Sequence, residues 1–146
     1  MKYLIKNRLE QFKGTVVSTE ISNEENLKFS LEDGLNKIYK LLLNLKNKKG
    51  NLYIIGNGGS AAIASHAVID FMNVANISAH TLHDSASLTC MANDYGYENA
   101  FSRMLNIIIK KEDMLIIISS SGKSKNMINA GKIVKEIGSI LITLSG

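Results

Sequence analysis

Two short apolar runs, each passing straight into a turn of small residues, constrain this chain more than any other feature. Asn51–Ile55 leads into Gly56-Asn57-Gly58-Gly59-Ser60, and Met114–Ile118 leads into Ser119-Ser120-Ser121-Gly122-Lys123-Ser124. Neither run alternates polar with apolar residues, which is the pattern of a strand buried on both faces. Ala79–Leu82 and Ser139–Leu144 read as further short strands. Helical stretches lie between them: Ser60–Met72, a segment capped by Asp84 and closing near Gly96, Glu98–Ile109, and Lys125–Ile137 stopped at Gly138. Short buried strands alternating with helices predict an α/β fold, a doubly wound parallel sheet flanked by helices.

Before Gly50 the reading is helical. Leu27, Phe29, Leu31, Leu35, Ile38, Leu41, Leu42 and Leu45 recur at roughly helical spacing, an apolar stripe suited to a core or a subunit interface. Polar Ser18–Asn26 holds a helix boundary. The expected organisation is N-terminal helices over 1–48, packing on the domain and at an oligomer interface, followed by an α/β domain over 49–146.

Ligands of doubly wound sheets bind outside the carboxyl ends of the strands. That rule selects the turns at Gly56–Ser60, Leu82–Ser87 and Ser119–Ser124, with Ser145–Gly146 a further candidate. Three glycines in the first let the backbone approach a ligand closely, and Ser60 opens a helix whose free N–H groups attract anions. The turn Ser119–Ser124 offers four hydroxyls where a helix needs only one cap, so anion binding is expected there as well. Two nucleotide readings are weaker. Gly56, Gly58 and Ala61 satisfy G-x-G-x-x-A, but no acidic residue stands at the expected distance. Gly122-Lys123-Ser124 resembles the tail of a P-loop, but Ile117 stands where that motif requires glycine.

His66 and Asp70, four apart on the helix after the glycine turn, share one face, as a metal-ligand pair or a solvent-facing pair would. His80 and His83 read as structural histidines, with His83 nearer a strand's carboxyl end. Cys90, the single cysteine, excludes an intrachain disulfide and reads as a small core residue. The net charge of +4 suits an anionic ligand, but the lysines are scattered and show no nucleic-acid signature. No apolar run approaches the roughly 20 residues needed to cross a bilayer, and no signal peptide is visible, so a cytoplasmic protein without nucleic-acid or membrane partners is expected.

Together, Gly56–Ala62 (GNGGSAA), Asn93–Tyr97 (NDYGY), Phe101–Arg103 (FSR) and Ile118–Ser124 (ISSSGKS) resemble, in order and spacing, the phosphoheptose isomerases of the sugar isomerase (SIS) domain superfamily. The resemblance covers most of Asn51–Gly146. It implies a SIS-type, flavodoxin-like fold with N-terminal helices, a homotetramer or dimer with sites between subunits, and a phosphorylated sugar as substrate. It also implies isomerisation of sedoheptulose 7-phosphate to glycero-manno-heptose 7-phosphate, for bacterial surface heptose, through an enediolate. Asn57, Gly58, Gly59, Ser60, Asn93 and Asp94 would touch the substrate, and Ser119, Ser120, Ser121 and Ser124 would hold its phosphate. His66 and Asp70 would be zinc ligands, with Asp70 also the catalytic acid/base.

Three departures from the family pattern stand out. The family has Glu where Asp70 stands, one methylene longer. The stretch Phe71–His80 looks shorter than in the family and carries no Arg or Lys. The family pattern continues past Gly146 with a strand and a long helix bearing a Gln and two His. These departures motivate an alternative, a non-catalytic SIS-domain module that binds sugar phosphates or proteins.

Overall fold

The computed structural model describes residues 2–146. The chain separates into two compact units, the first ending at Leu42 and the second spanning Leu43–Gly146.

The first unit opens with helix α1 (Lys2–Val17). Ile5, Leu9, Phe12 and Val16 recur at helical spacing along it and are all exposed. A small antiparallel ladder follows, β1 (Ile21–Ser22) on β2 (Lys28–Phe29), with Ile21 opposite Phe29. Here the structure corrects the helical stripe, because Leu27 and Phe29 are not helical. Asn23 Oδ1 accepts from the N–H groups of Glu25 and Leu27, and Asn26 takes a positive φ of 60°. An Asx turn of this kind competes with helix and reverses the chain. Helix α2 (Leu31–Asn47) starts only after Ser30, whose Oγ accepts the Asp33 N–H at 3.1 Å and donates to Asp33 Oδ2 at 2.7 Å.

The second unit is built on a parallel sheet. Strands β3 (Leu52–Gly56), β4 (Ala79–His80), β5 (Met114–Ser119) and β6 (Ile140–Ser145) lie in the order β4-β3-β5-β6. Every residue of β3 is buried, as its unbroken apolar run requires. Side chains alternate between the faces. Tyr53, Ile55, Leu115 and Ile117 join Phe101, Leu105, Met127, Ala130 and Val134 in one cluster under helices α5 (Ala100–Ile108) and α6 (Lys125–Ile137). The alternate set, Leu52, Ile54, Met114 and Ile116, is also buried, and helix α3 (Gly59–Asn73) packs on β3 with Ala64 and Val68 buried.

Helix α4 (Ser85–Tyr95) begins where expected, with Asp84 Oδ1 accepting the Ser87 N–H at 2.8 Å. Two other readings are corrected. The helix expected over Glu98–Ile109 is a 3₁₀ turn (Tyr97–Asn99) followed by α5. Cys90 is exposed rather than in the core, because α4 carries no buried residue.

The order of strands positions the site. The chain leaves β3 for β4 on one side and leaves β5 for β6 on the other, so the paths diverge between β3 and β5. Their register puts Gly56 beside Ile118, which brings the turns that follow them to the same edge of the sheet. The opposite edge is closed by Asp113, fully buried, whose carboxylate accepts from the N–H groups of Asn51 at 2.7 Å and Lys110 at 2.8 Å.

Candidate functional site

The glycine turn and the serine turn meet in one cleft at the carboxyl ends of β3 and β5. Asn57 and Ser60 line it from one side; Ile118, Ser119, Ser120, Ser121 and Ser124 line it from the other. Its volume is about 50 Å³, several times the roughly 10–15 Å³ that one water requires. None of these side chains is charged. The attraction for an anion comes from hydroxyls and from the N-termini of α3 and α6, which both open here. Ser124 is the N-cap residue of α6, but its hydroxyl makes no capping bond. Gly122, with φ of 61°, closes the serine turn through its N–H to Ser119 O at 3.0 Å.

Two glycines are required here for different reasons. A Cβ on Gly56 would lie 2.7 Å from Ser60 Cβ and 2.9 Å from Ile118 O, so this position is closed by contact. Gly58 has open space around it, but its φ of 53° and ψ of −121° are costly for any L side chain.

His83 supports the turn from behind. Its Nε2 accepts the Gly56 N–H at 3.3 Å, so Nδ1 carries the proton toward Thr81 Oγ1 at 2.6 Å. The ring meets Phe101 edge-on, with centroids 5.8 Å apart. Burial pushes the imidazole pKa down from its ordinary value, which keeps the ring neutral as the Gly56 contact demands. His83 is thus structural, and His80 hydrogen-bonds Ser78 Oγ at 3.1 Å.

The remaining predicted side chains are not in the lining of this cleft. His66 and Asp70 stand on the exposed face of α3, Nε2 to Oδ2 3.6 Å apart. From Ser60 they are six and ten residues along the helix, or about 9 and 15 Å of rise. No group of three or more His, Cys, Asp or Glu residues suited to a metal ion occurs among the described residues. Asn93 and Asp94 sit exposed in the last turn of α4, joined by Asn93 Nδ2 donating to Asp94 Oδ1 at 3.1 Å.

Two residues of the site were not assigned to it from the sequence, although Tyr97 closes the Asn93–Tyr97 motif. Asn126 pairs reciprocally with Asn57, and the Tyr97 hydroxyl donates to Asn57 Oδ1 at 2.9 Å. An asparagine in a helical first turn and a tyrosine after a glycine carry no periodic signal that would single them out.

The family model of the SIS domain matches residues 21–146. A phosphoheptose isomerase of Helicobacter pylori (strain P12) is 38% identical over 135 residues, covering 86% of this chain and 70% of the relative. The chain belongs to the phosphoheptose isomerases of the SIS domain family.

The phosphoheptose isomerase of Histophilus somni (strain 2336) is 34% identical across 99% of the chain and 74% of its own length. Among solved structures, a phosphoheptose isomerase from Neisseria gonorrhoeae superimposes with a TM-score of 0.70 at 34% identity, over 76% of this chain and 61% of that one. One from Francisella tularensis also gives 0.70, and at 24% identity it bears on the fold alone. The chain thus spans less than two thirds of these two solved phosphoheptose isomerases. No helix among the described residues is long and apolar enough to cross a membrane.

Proposed function

We propose that this chain is an aldose-ketose isomerase that interconverts sedoheptulose 7-phosphate and glycero-manno-heptose 7-phosphate, supplying heptose for a bacterial surface polysaccharide from the cytoplasm. The observation that carries the reading is the cleft, where two helix N-termini meet a set of neutral hydroxyl and amide groups. A phosphate dianion held there gains charge-assisted hydrogen bonds without a desolvated counter-ion. Ser60, Ser119, Ser120, Ser121 and Ser124 hold the phosphate together with Asn57; Gly58 and Gly59 bring main chain close, and Asn93 and Asp94 contact the sugar. Asp70 moves the proton between C1 and C2.

The chemistry then lies far from the phosphate grip. A seven-carbon phosphate is about 10 Å from C1 to phosphorus when extended, given C–C bonds of about 1.5 Å. Asp70 is about 15 Å along α3 from Ser60. That mismatch supports self-association, as a dimer or homotetramer in which the acid/base of one copy serves the cleft of another. The exposed stripe Ile5, Leu9, Phe12 and Val16 supports N-terminal helices as part of such an interface.

Zinc belongs to the same reading. Two ligands of a tetrahedral zinc ion with bonds of about 2.0–2.1 Å lie about 3.3 Å apart, close to the 3.6 Å between His66 Nε2 and Asp70 Oδ2. The pair fits two of four positions, and a bound zinc would polarise the sugar carbonyl.

The shorter Asp70, where the family has Glu, favours a second reading in which the cleft binds sugar phosphate without turnover. Solvent-deuterium exchange into sedoheptulose 7-phosphate, followed by NMR with and without zinc, separates the two. Deuterium at C1 supports the isomerase. Binding without exchange, unchanged by Asp70→Glu, overturns it in favour of the binding module.

A further inference from the structure

The two turns of the cleft are joined by an amide knot. Asn126, 3% exposed, lies in the first turn of α6, just beyond Ser124. Its Oδ1 accepts from Asn57 Nδ2 at 3.0 Å, and its Nδ2 donates to Asn57 Oδ1 at 2.8 Å. The Met127 N–H donates to the same Asn126 Oδ1 at 3.0 Å. A main-chain N–H can only donate, and the Met127 N–H, shared with Ser124 O at 3.0 Å, favours oxygen at that atom and with it this orientation of both amides. Tyr97 O–H reaches Asn57 Oδ1 from a third element at 2.9 Å.

The consequence for Asn57 follows from counting its hydrogen-bonding capacity. Its Oδ1 already takes two donors, Asn126 Nδ2 and Tyr97 Oη, which fills both lone pairs. Its Nδ2 spends one hydrogen on Asn126 and keeps one. What Asn57 has left for a ligand in the cleft it lines is therefore a donor, never a carbonyl. A flipped Asn57 amide would present oxygen to an anion, and would set oxygen against Asn126 Oδ1 and nitrogen against Asn126 Nδ2.

We propose that Asn126 and Tyr97 are positioning residues that act through Asn57. They lock its amide donor-side toward the oxygens of a phosphorylated ligand and hold the glycine turn at a set distance from the serine turn. The inference rests on this cleft being the phosphate site of the proposed function. It does not depend on the identity of the sugar or on the chemistry at Asp70.

Two variants separate positioning from simple support. Tyr97→Phe removes one O–H from a side chain that is 47% exposed, so the fold is retained. Asn126→Asp keeps the acceptor for the Met127 N–H and loses the donor to Asn57. Each is made alone and with Asn57→Ala in the full chain. Affinity for inorganic phosphate is measured by calorimetry, and urea midpoints are recorded in parallel. Loss of one neutral hydrogen bond predicts about three- to tenfold weaker phosphate binding for Tyr97→Phe, and a larger loss for Asn126→Asp. In the Asn57→Ala background the Tyr97→Phe loss should largely vanish, because residues acting through one group are not additive, and the Asn126→Asp loss should shrink to the direct repulsion between its new carboxylate and the anion.

With sedoheptulose 7-phosphate, KM should rise while kcat stays close to wild type, the signature of weakened uniform binding. Equal losses with and without Asn57, or unchanged affinity in both single variants, overturn the proposal. So does a lowered urea midpoint with unchanged phosphate affinity. A wild-type chain that binds phosphate without isomerising the sugar removes the proposed reaction and leaves the positioning role to stand on the affinity data. A wild-type chain that binds no phosphate overturns both.

Discussion

Replacing Gly56 by alanine tests whether the junction between β3 and α3 is as closed as its geometry states. The added Cβ would sit 2.7 Å from Ser60 Cβ, 2.8 Å from the Ser60 carbonyl carbon and 2.9 Å from Ile118 O. Non-bonded carbons rest at about 3.5–4.0 Å, so about 0.8 Å of room must be found. Two of the three obstructing atoms are main chain, one in the first turn of α3 and one in β5, and neither can rotate away as a side-chain tip would. Overpacking of this kind costs about 1–3 kcal/mol, and main-chain obstruction puts the value near 3. Alanine recovers about 0.4–1 kcal/mol by restricting the unfolded chain, since Gly56 does not need a positive φ. The net expectation is a loss of about 2 kcal/mol in urea unfolding, a reduced midpoint with an unchanged slope. Moving α3 away from β5 also spreads the two turns, so inorganic phosphate should bind about tenfold more weakly, as one or two hydrogen bonds lengthen. A Gly56→Ala protein with a wild-type midpoint and wild-type phosphate affinity would refute the reasoning.

Gly58→Ala tests torsion instead of contact, because nothing lies within 4 Å of its would-be Cβ; the expected loss of stability is about 1–3 kcal/mol, read from the same urea curves. Asp113→Ala leaves the N–H groups of Asn51 and Lys110 without their buried acceptor, and a loss of about 2 kcal/mol is expected by chemical denaturation, with phosphate affinity of the remaining folded protein unchanged. His83 predicts a pH dependence. Its folded pKa is lowered by burial, and its contacts, Thr81, Ser65, Phe101 and the Gly56 N–H, carry no charge. The unfolded chain therefore takes up a proton near pH 6.5 that the folded chain refuses. The stabilisation is present above that pH and is lost as the pH falls from about 6.5 toward the lowered folded value. His83→Gln should flatten this slope in urea midpoints measured from pH 7.5 to 5; an identical slope in the variant would assign it to other groups.

The second unit was legible in the sequence because its central strands are buried on both faces and its helices are punctuated. Leu52–Gly56 and Met114–Ser119 could hardly read otherwise, Lys125–Ile137 ends at a glycine with φ of 80°, and Asp84 caps α4 as its position suggested. The cleft was legible for the same reason: once β3 and β5 are parallel neighbours, the turns after them must meet. What could not be read depends on contacts of long sequence separation or on very short elements. Two-residue strands leave no period to detect, so Leu27 and Phe29 passed for helix until the Asn23 turn revealed the hairpin. The Asn57–Asn126 pair spans 69 residues, and asparagine at either position has an ordinary local explanation. Cys90 lies in an apolar stretch that the helix turns outward.

The fold places the proposed phosphate cleft and the proposed His66–Asp70 pair on different structural materials. The cleft is made of strand ends, glycines and hydroxyls whose arrangement is dictated by the β3–β5 register, so a change at Gly56, where a Cβ would meet α3 and β5, is felt by the core. His66 and Asp70 stand on the exposed surface of α3, with 81% and 63% of their side chains open to solvent, and nothing in the sheet depends on them. If the proposed roles hold, a lineage built this way can exchange His66 and Asp70 at little structural risk while the cleft stays fixed.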